Sequence, residues 1–217
     1  MKEFIFISDF DGTLTNKDFY HIVMEEYLAD RGEALYQSWR RNEIGVSEFL
    51  AGVFRGIDRD ETEIDEAITK IAVDGYLKEF ITRIQAAGGD FLILSAGTDY
   101  YIKRTLKNLG LAQIPVISNP GVYHDRGIKV TPDQESPYYS KVYGVDKALA
   151  VQDYLTKYRR VFYAGDSEPD LKAALLAEQI FARGELVELL TERRRAFVPF
   201  KSFVEIGDYL QQIGVIK

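Results

Sequence analysis

Short apolar runs alternate with amphipathic segments along most of this 217-residue chain. The run from Phe4 to Ile7 is apolar on both faces, which is typical of a strand that is buried on both sides in a parallel sheet. Segments with the helical spacing of apolar residues separate the later runs. The alternation predicts an α/β protein with a parallel sheet. The further strands are predicted at 91–94, 116–118, 161–164 and 180–182.

The stretch between the first two predicted strands is helical in pattern for about sixty residues. Apolar residues recur at helical spacing from Phe19 onward, and glycines separate the segments. The last of these segments opens with Asp60 and Glu63, a spacing that resembles a capping box with Asp in place of Ser or Thr. We therefore predict an inserted α-helical bundle. The predicted boundaries are 16–75 for this helical cap domain, and 1–15 with 76–217 for the α/β catalytic core.

The second half of the chain predicts one interruption of the α/β alternation. Residues 121–130 have the pattern of two short antiparallel strands that turn at 125–127, and a polar loop rich in tyrosine follows. A helix is predicted from about Asp146 to Tyr158, and another from Asp170 to Ala177. Two terminal helices complete the prediction.

Composition and charge limit the kinds of partner. The net charge is −7 with no long basic run, so we expect no nucleic-acid partner. The absence of cysteine excludes a disulfide framework, a thiolate zinc site and a cysteine nucleophile. No apolar stretch approaches the roughly 20 residues of a membrane span, and the N-terminus lacks the pattern of a signal peptide. We expect a cytoplasmic protein with no membrane partner.

Three of the predicted strands end in acidic or small residues. Asp9 and Asp11 follow the first strand, Ser95 and Gly97 follow the second, and Asp166 follows the strand at 161–164, with Asp170 close behind. The carboxyl ends of parallel strands meet at one edge of a sheet, where open α/β folds bind ligands. Aspartates that converge there would repel one another without a cation. A ligand set made only of oxygen atoms favours Mg²⁺.

A carboxylate pair at such a site predicts phosphoryl transfer. With Mg²⁺ offsetting the charge repulsion, Asp9 could attack a phosphate and form an aspartyl phosphate, and Asp11 could act as general acid and base. Ser95 and Lys147, each close to the start of a predicted helix, could hold the phosphate. Each residue alone has an ordinary structural explanation as a turn, cap or surface residue, so the hypothesis depends on their convergence.

The same residues resemble the four motifs of the haloacid dehalogenase superfamily. The matching stretches are 9–15 (DFDGTLT), Ser95, Lys147 and 165–170 (GDSEPD). The resemblance implies the Rossmann-like three-layer core of that superfamily and a helical cap of the phosphoserine phosphatase type. It implies Asp9 as the nucleophile, Asp11 as the acid and base, and Ser95 with Lys147 as phosphate ligands. Lys147 fits better than Lys141 because it begins a helix. The implied metal residues are Asp9, Asp11, Asp166 and Asp170.

Further residues resemble one family within the superfamily, the 2-hydroxy-3-keto-5-methylthiopentenyl-1-phosphate phosphatases. They are Asp18, Ser118 with Asn119, and Phe181-Ala182-Arg183. The chain departs from that family in residues 132–145, where a cysteine-rich loop is replaced by a loop without cysteine. Phosphoserine phosphatases instead carry Glu at the place of Asp18 and an arginine in the cap, and here Arg55 follows an apolar stretch. Asp18, Arg55 and Gly97 are therefore additional candidates for substrate binding.

The favoured hypothesis is a Mg²⁺-dependent phosphatase that acts on a small phosphorylated metabolite, with a cap that closes over the substrate. A phosphoserine phosphatase or a phosphotransferase of the same superfamily is the alternative among enzymes. The alternative outside enzymes is a phospho-accepting module similar to a receiver domain. That module would carry its acidic pair on another strand and would lack both Asp11 and the long insert.

Overall fold

The computed structural model describes residues 2–217, and a six-stranded parallel sheet forms its centre. Its strands are β1 (Lys2–Ser8), β2 (Asp90–Thr98), β3 (Val116–Asn119), β8 (Tyr158–Gly165), β9 (Gln179–Ala182) and β10 (Val198–Pro199), and the four short strands between β3 and β8 lie outside this sheet. The strand order is β10-β9-β8-β1-β2-β3, and every neighbouring pair is parallel. The α/β class with a parallel sheet is thus confirmed.

Side chains of β1 alternate between two apolar clusters, one on each face of the sheet. Phe4 and Phe6 belong to the first cluster, whereas Ile5 and Ile7 belong to the second. Helices cover both faces, which gives three layers. The first face is covered by α5 (Leu77–Ala86), α6 (Asp99–Asn108) and α10 (Phe203–Gln212), and the second by α7 (Lys147–Lys157), α8 (Leu171–Ala174) and α9 (Gly184–Glu192).

The stretch between β1 and β2 is helical, as predicted, and its apolar side chains belong to the first cluster of the core. An isolated bridge between Thr15 and Val73 joins the two ends of this insert. The boundaries at 15 and 76 remain predictions. The elements of the insert are α1 (Phe19–Val23), a π-helical turn (Met24–Leu28), α2 (Ala29–Arg40), α3 (Val46–Arg55) and α4 (Glu61–Thr69).

The capping box at the start of α4 is confirmed. The Asp60 side chain accepts a hydrogen bond from the Glu63 backbone N–H at 3.0 Å, and the Glu63 side chain accepts one from the Asp60 N–H at 2.9 Å. The reciprocal pair satisfies two N–H groups that the first turn of a helix leaves without partners.

The predicted hairpin is also confirmed, as β4 (Gly121–His124) and β5 (Gly127–Val130). Its turn residues Asp125 and Arg126 both have positive φ, 49° and 59°, which matches the twist of a two-residue hairpin turn. The hairpin contacts the insert, since Arg126 bonds Asp58 at 2.6 Å and the Arg59 N–H donates to the Arg126 carbonyl. The loop that follows contains two very short strands, β6 (Tyr139–Ser140) and β7 (Gly144–Val145).

The prediction of a helix from Asp170 to Ala177 is wrong in its extent. Only Leu171–Ala174 is α-helical, after a 3₁₀ turn at Glu168–Asp170. The Asp170 side chain accepts the backbone N–H groups of Asp166 and Ser167, and these bonds favour a tight turn over a regular helix start. Strand β10 was not predicted because two residues carry no periodicity. Within residues 2–217, no helix combines the length and the apolar character that a membrane span requires.

Candidate active site

The predicted site residues meet at the carboxyl ends of β1, β2 and β8, beneath the helical insert. Most of them line one cavity of about 700 Å³. Asp170 is fully buried behind its wall. Arg55 is not among the lining residues and is exposed at the end of α3. The predicted residues that line the cavity are Asp9, Asp11, Asp18, Ser95, Gly97, Lys147 and Asp166.

Lys147 lies between two carboxylates. Its Nζ is 2.7 Å from Asp9 Oδ1 and 2.6 Å from Asp170 Oδ1, and its side chain is only 2% exposed. The Asp146 side chain caps the Ala148 N–H, so α7 begins with Lys147 as its first residue. Burial alone would lower the pKa of Lys147, but the charges of Asp170 and Asp9 outweigh it and raise that pKa. Lys147 is therefore a fixed positive charge beside Asp9.

The Asp170 carboxylate is saturated with donors. Its Oδ1 accepts from Lys147 and from the Tyr163 hydroxyl at 2.7 Å, and its Oδ2 accepts from the backbone N–H groups of Asp166 and Ser167. Four hydrogen bonds use the usual capacity of an ionised carboxylate. Asp170 therefore holds Lys147 and the turn after β8 in place.

Three carboxylates, Asp9, Asp166 and Asp170, can each offer an oxygen within 4.8 Å of the others, as a divalent cation would require. Burial raises the pKa of Asp166 to about 7, and the charge of Asp170 adds to that shift. Burial also raises the pKa of Asp9 well above its usual range, although Lys147 opposes the shift. These buried oxygens carry more negative charge than Lys147 balances, so the donor set fits a divalent metal ion.

The turn after β1 brings backbone against Asp166. Gly12 has φ of +71°, and a Cβ atom there would lie 2.5 Å from Asp166 Oδ2. Only glycine allows both the left-handed conformation and the close approach. The Thr13 hydroxyl donates to Asp166 Oδ1 at 2.7 Å and fixes the other oxygen of that carboxylate.

Asp11 receives one hydrogen bond on each carboxylate oxygen. The Phe19 backbone N–H donates to Oδ1 at 3.0 Å, and the Tyr101 hydroxyl donates to Oδ2. Burial raises the pKa of Asp11 to about 7, with these two hydrogen bonds opposing the shift. A carboxyl group with such a pKa can both give and take a proton near neutral pH.

Ser95 lies near the end of β2, so it is a strand residue and does not directly precede α6. Its hydroxyl accepts the Gly97 N–H at 2.9 Å, in the part of β2 where the pairing with β3 shifts register between Leu94 and Thr98. The Asn119 amide donates to the carbonyls of Ala96 and Tyr143, at 2.8 and 2.9 Å. Asn119 thereby joins the end of β2 to the loop before α7.

The insert supplies an opposite wall that is mainly aromatic and apolar. Trp39 and Phe49 stack with ring centroids 4.7 Å apart, and Tyr36 packs edge-on against both. Burial raises the pKa of Asp18, another lining residue, to about 7, and the charge of Asp11 adds to that shift. The lining residues from the insert also include Tyr20, His21, Arg40, Asn42, Ile44, Leu50 and Phe54.

Tyr101, Tyr36, Trp39 and Arg40 were not predicted from the sequence. Tyr36 and Trp39 follow the ordinary spacing of a helix that packs by one face, and nothing in that spacing distinguishes a cavity wall from a core. Tyr101 stands in an apolar face of α6, where a buried hydroxyl that needs a partner is the available signal.

Known proteins are similar to this chain over nearly its whole length. A 2-hydroxy-3-keto-5-methylthiopentenyl-1-phosphate phosphatase from Brevibacillus brevis is 26% identical and covers 98% of this chain and 97% of its own. The corresponding phosphatase from Bacillus mycoides is also 26% identical, with 96% of each chain covered.

Solved structures share the fold at lower identity. A phosphoserine phosphatase structure, described as a phospho-aspartyl intermediate analogue, has a TM-score of 0.70 with 18% identity, and covers 96% of this chain and 99% of that one. The haloacid dehalogenase-like hydrolase family matches residues 6–175. The chain therefore belongs to the haloacid dehalogenase-like hydrolase family and is one of its phosphatases, a phosphoric monoester hydrolase.

Proposed function

We propose that this protein is a Mg²⁺-dependent phosphatase that hydrolyses a small phosphomonoester through an aspartyl phosphate on Asp9. The observation that supports the proposal is the shared cavity, in which Asp9, Asp11, Ser95, Lys147 and Asp166 all contribute to one wall. Asp9 is the proposed nucleophile because Lys147 holds its Oδ1 and so orients its carboxylate.

Mg²⁺ would be held by the side chains of Asp9 and Asp166 and by the backbone carbonyl of Asp11. We assign Asp170 to the surroundings of the metal, because its two oxygens already accept four hydrogen bonds. When bound, Mg²⁺ would offset the repulsion between the Asp9 carboxylate and the phosphate.

The first chemical step transfers the phosphoryl group to the protein. An Asp9 oxygen attacks phosphorus, the bond from phosphorus to the ester oxygen breaks, and that oxygen takes its proton from Asp11. Lys147 and the end of β2 at Ser95 and Gly97 hold the phosphate oxygens and stabilise the charge that develops on them.

The second step releases phosphate. Asp11, now ionised, takes a proton from a water molecule while the water oxygen attacks phosphorus. The bond between phosphorus and Asp9 breaks, and both carboxyl groups return to their starting forms. The insert covers the cavity, so it limits the entry of other water during the first step.

We propose a substrate with an apolar end. The relatives are named for 2-hydroxy-3-keto-5-methylthiopentenyl-1-phosphate, which carries phosphate at one end and a methylthio group at the other. Sulfur atoms and methyl groups make favourable contacts with aromatic rings, and Tyr36, Trp39 and Phe49 form such a surface across the cavity. This compound is therefore the first candidate, and phosphoserine, for whose carboxylate Arg40 offers a cation, is the second.

The test is release of inorganic phosphate from a panel of phosphomonoesters with Mg²⁺. The panel contains the methylthiopentenyl phosphate, phosphoserine, phosphocholine and sugar phosphates, and each is assayed with wild type and with Asp9→Asn. We expect hydrolysis by wild type and a loss of at least about 10³-fold in kcat for Asp9→Asn. Equal inactivity of the two proteins across the panel would contradict the proposal. Preference for phosphoserine would contradict only the choice of substrate.

A further inference from the structure

The hydroxyl of Tyr101 is directed at the carboxylate that we assign as acid and base. Tyr101 lies in α6, is 2% exposed, and donates to Asp11 Oδ2. The other oxygen, Oδ1, accepts the Phe19 N–H. The carboxylate is thus held from both sides, by a side chain of the core and by the backbone at the first residue of α1.

The ring of Tyr101 packs against other aromatic rings. Its ring centroid lies 4.7 Å from that of Phe19 and 6.0 Å from those of Phe10 and Phe54. A phenylalanine would fill this place equally well, and a buried hydroxyl costs free energy unless it has a hydrogen-bond partner. The phenolic oxygen forms its hydrogen bond with Asp11.

Gly97 provides the space for this contact. A Cβ atom at position 97 would lie 2.0 Å from the Tyr101 hydroxyl oxygen and 2.9 Å from Asp11 Oδ2. Any larger residue would push the hydroxyl away from Asp11. Gly97, which the sequence indicated as a candidate for substrate binding, therefore also permits the hydrogen bond from Tyr101.

We propose that Tyr101 is a positioning residue for the proton transfers of Asp11, an inference that rests on the proposed phosphatase function. In the first step the Asp11 proton moves to the ester oxygen as the bond from phosphorus breaks, and Asp11 becomes a carboxylate. Tyr101 keeps its own proton and donates more strongly to this carboxylate than to the neutral acid. The hydroxyl thus stabilises the charge that appears on Asp11 and fixes the direction from which the proton leaves.

The dependence on the leaving group separates this role from simple packing. An alkoxide is a poor leaving group and requires protonation by Asp11, whereas 4-nitrophenolate leaves without it. Loss of the Tyr101 hydroxyl should therefore slow cleavage of an alkyl phosphate and spare the first cleavage of 4-nitrophenyl phosphate. A fault in packing or in phosphate binding would slow both.

The experiment measures the first turnover of wild type and Tyr101→Phe with 4-nitrophenyl phosphate and with an alkyl phosphate that wild type hydrolyses. We expect cleavage of the alkyl ester to fall on the order of 10- to 100-fold, and the first release of nitrophenol to change less than about threefold. Breakdown of the aspartyl phosphate also needs Asp11, so this step should be slow in Tyr101→Phe. The variant should therefore release nitrophenol in a burst of about one equivalent per active site, followed by a slow phase.

Tyr100→Phe is the matched control. Tyr100 is the neighbouring residue of α6, and its hydroxyl donates to Glu61 on α4 at 3.1 Å instead of to Asp11. This variant loses the same atom and should treat the two esters as wild type does. Thermal unfolding of both variants shows whether each is folded.

The outcomes distinguish the two levels of inference. If wild type is active, and the Tyr101→Phe change slows the cleavage of both esters equally or slows the cleavage of neither, then Tyr101 does not assist Asp11. The proposed phosphatase function would still stand. If wild type cleaves no phosphomonoester, the proposed function and this inference fail together.

Discussion

At the scale of single residues, Asp170 and Asp166 are close in sequence but differ in their contacts. Asp170 is fully buried and accepts four hydrogen bonds, among them those of Lys147 and Tyr163. Asp166 lines the cavity, and its side chain accepts a hydrogen bond from the Thr13 hydroxyl. From these contacts we propose that Asp170 supports the lysine and that Asp166 binds the metal.

The variants Asp170→Asn and Asp166→Asn should therefore fail in different ways. An amide at position 170 would direct its NH₂ group at donors in either orientation, so we expect a loss of about 3 kcal/mol in the free energy of unfolding. Its kcat should fall about 10-fold or more because Lys147 loses a partner, while the Mg²⁺ concentration for half-maximal activity stays within about twofold. Asp166→Asn should raise that concentration at least about 10-fold, at a much smaller cost in stability.

Chemical denaturation and Mg²⁺ titration of activity measure these effects on the same preparations. An increase in the Mg²⁺ requirement of Asp170→Asn equal to that of Asp166→Asn would show that Asp170 binds the metal directly. In that case the four hydrogen bonds that Asp170 accepts would describe the protein only in the absence of the metal.

The sequence predicted which aspartates line the cavity because their kind and their place at strand ends carry the information. Asp9, Asp11 and Asp166 each follow a buried apolar run, and parallel strands bring such ends together. Arg55 and Tyr101 show the limit of that argument. A helical pattern gives the spacing of residues along a helix, but it does not tell which neighbouring element each side chain faces. It therefore could not predict that Arg55 lies outside the cavity lining or that Tyr101 lies beside Asp11.

At the scale of elements, α2 and α3 form the wall that faces the site. Trp39 from α2 stacks on Phe49 from α3, and both rings contact the cavity. The short connection between the helices includes Asn42 at a positive φ of 57°, which closes the turn. The wall therefore depends on two helices that meet through aromatic rings.

Trp39→Ala should reduce selectivity for substrates with an apolar end. Removing the ring takes away apolar contact area but leaves Asp9, Asp11 and Lys147 unchanged, so kcat for a small ester should change little. For the methylthiopentenyl phosphate we expect kcat/KM to fall about 10- to 100-fold, chiefly through KM. Steady-state kinetics with both substrates measure the change.

Gln37→Ala is the control for this prediction, since Gln37 is exposed on the same helix and bonds only Glu33 among the described side-chain contacts. It should leave both substrates unaffected. An equal loss of kcat/KM for the small and the apolar ester in Trp39→Ala would mean that the ring supports the fold of the insert and does not select the substrate.

At the scale of the whole molecule, the order of strands and helices was predictable and the joining of insert and core was not. Alternating apolar runs specify a parallel sheet because each strand must be buried on both faces. The insert was predicted as a unit of its own, yet Phe19 and Phe54 belong to the same apolar cluster as Phe6 of β1. Periodicity records that a face is apolar and does not record what covers it.

Another property of the whole molecule is that its fold brings several buried carboxyl groups together, even without a metal. Burial raises the pKa of Asp11 and of Asp166 to about 7, and that of Asp9 well above its usual range. A carboxyl group with a raised pKa in the folded state binds its proton more tightly there than in the unfolded chain. Its contribution to stability is complete below its ordinary pKa of about 4 and is lost as the pH rises through its folded-state pKa, which is about 7 for Asp11 and Asp166.

The metal-free protein should therefore become less stable between pH 5.5 and pH 8. The half-buried His21 acts in the opposite direction, because burial lowers its pKa, but it is one group against four, since burial raises the pKa of Asp18 as well as those of Asp9, Asp11 and Asp166. The exposed Asp58 and the partly exposed Asp153, whose pKa values their cationic partners lower, contribute below this range. In a chelator we expect the melting temperature to fall on the order of 5 °C between the two pH values.

Mg²⁺ should reverse this loss, and more so at pH 8 than at pH 5.5. At the higher pH the carboxylates are ionised and repel one another, so the cation binds them without displacing protons. Thermal unfolding at both pH values, with chelator and with Mg²⁺, measures the two shifts, and Asp166→Asn should show a smaller response to both pH and Mg²⁺. A Mg²⁺-induced rise in melting temperature that is equal at both pH values would show that the buried acids are not the groups to which the metal binds.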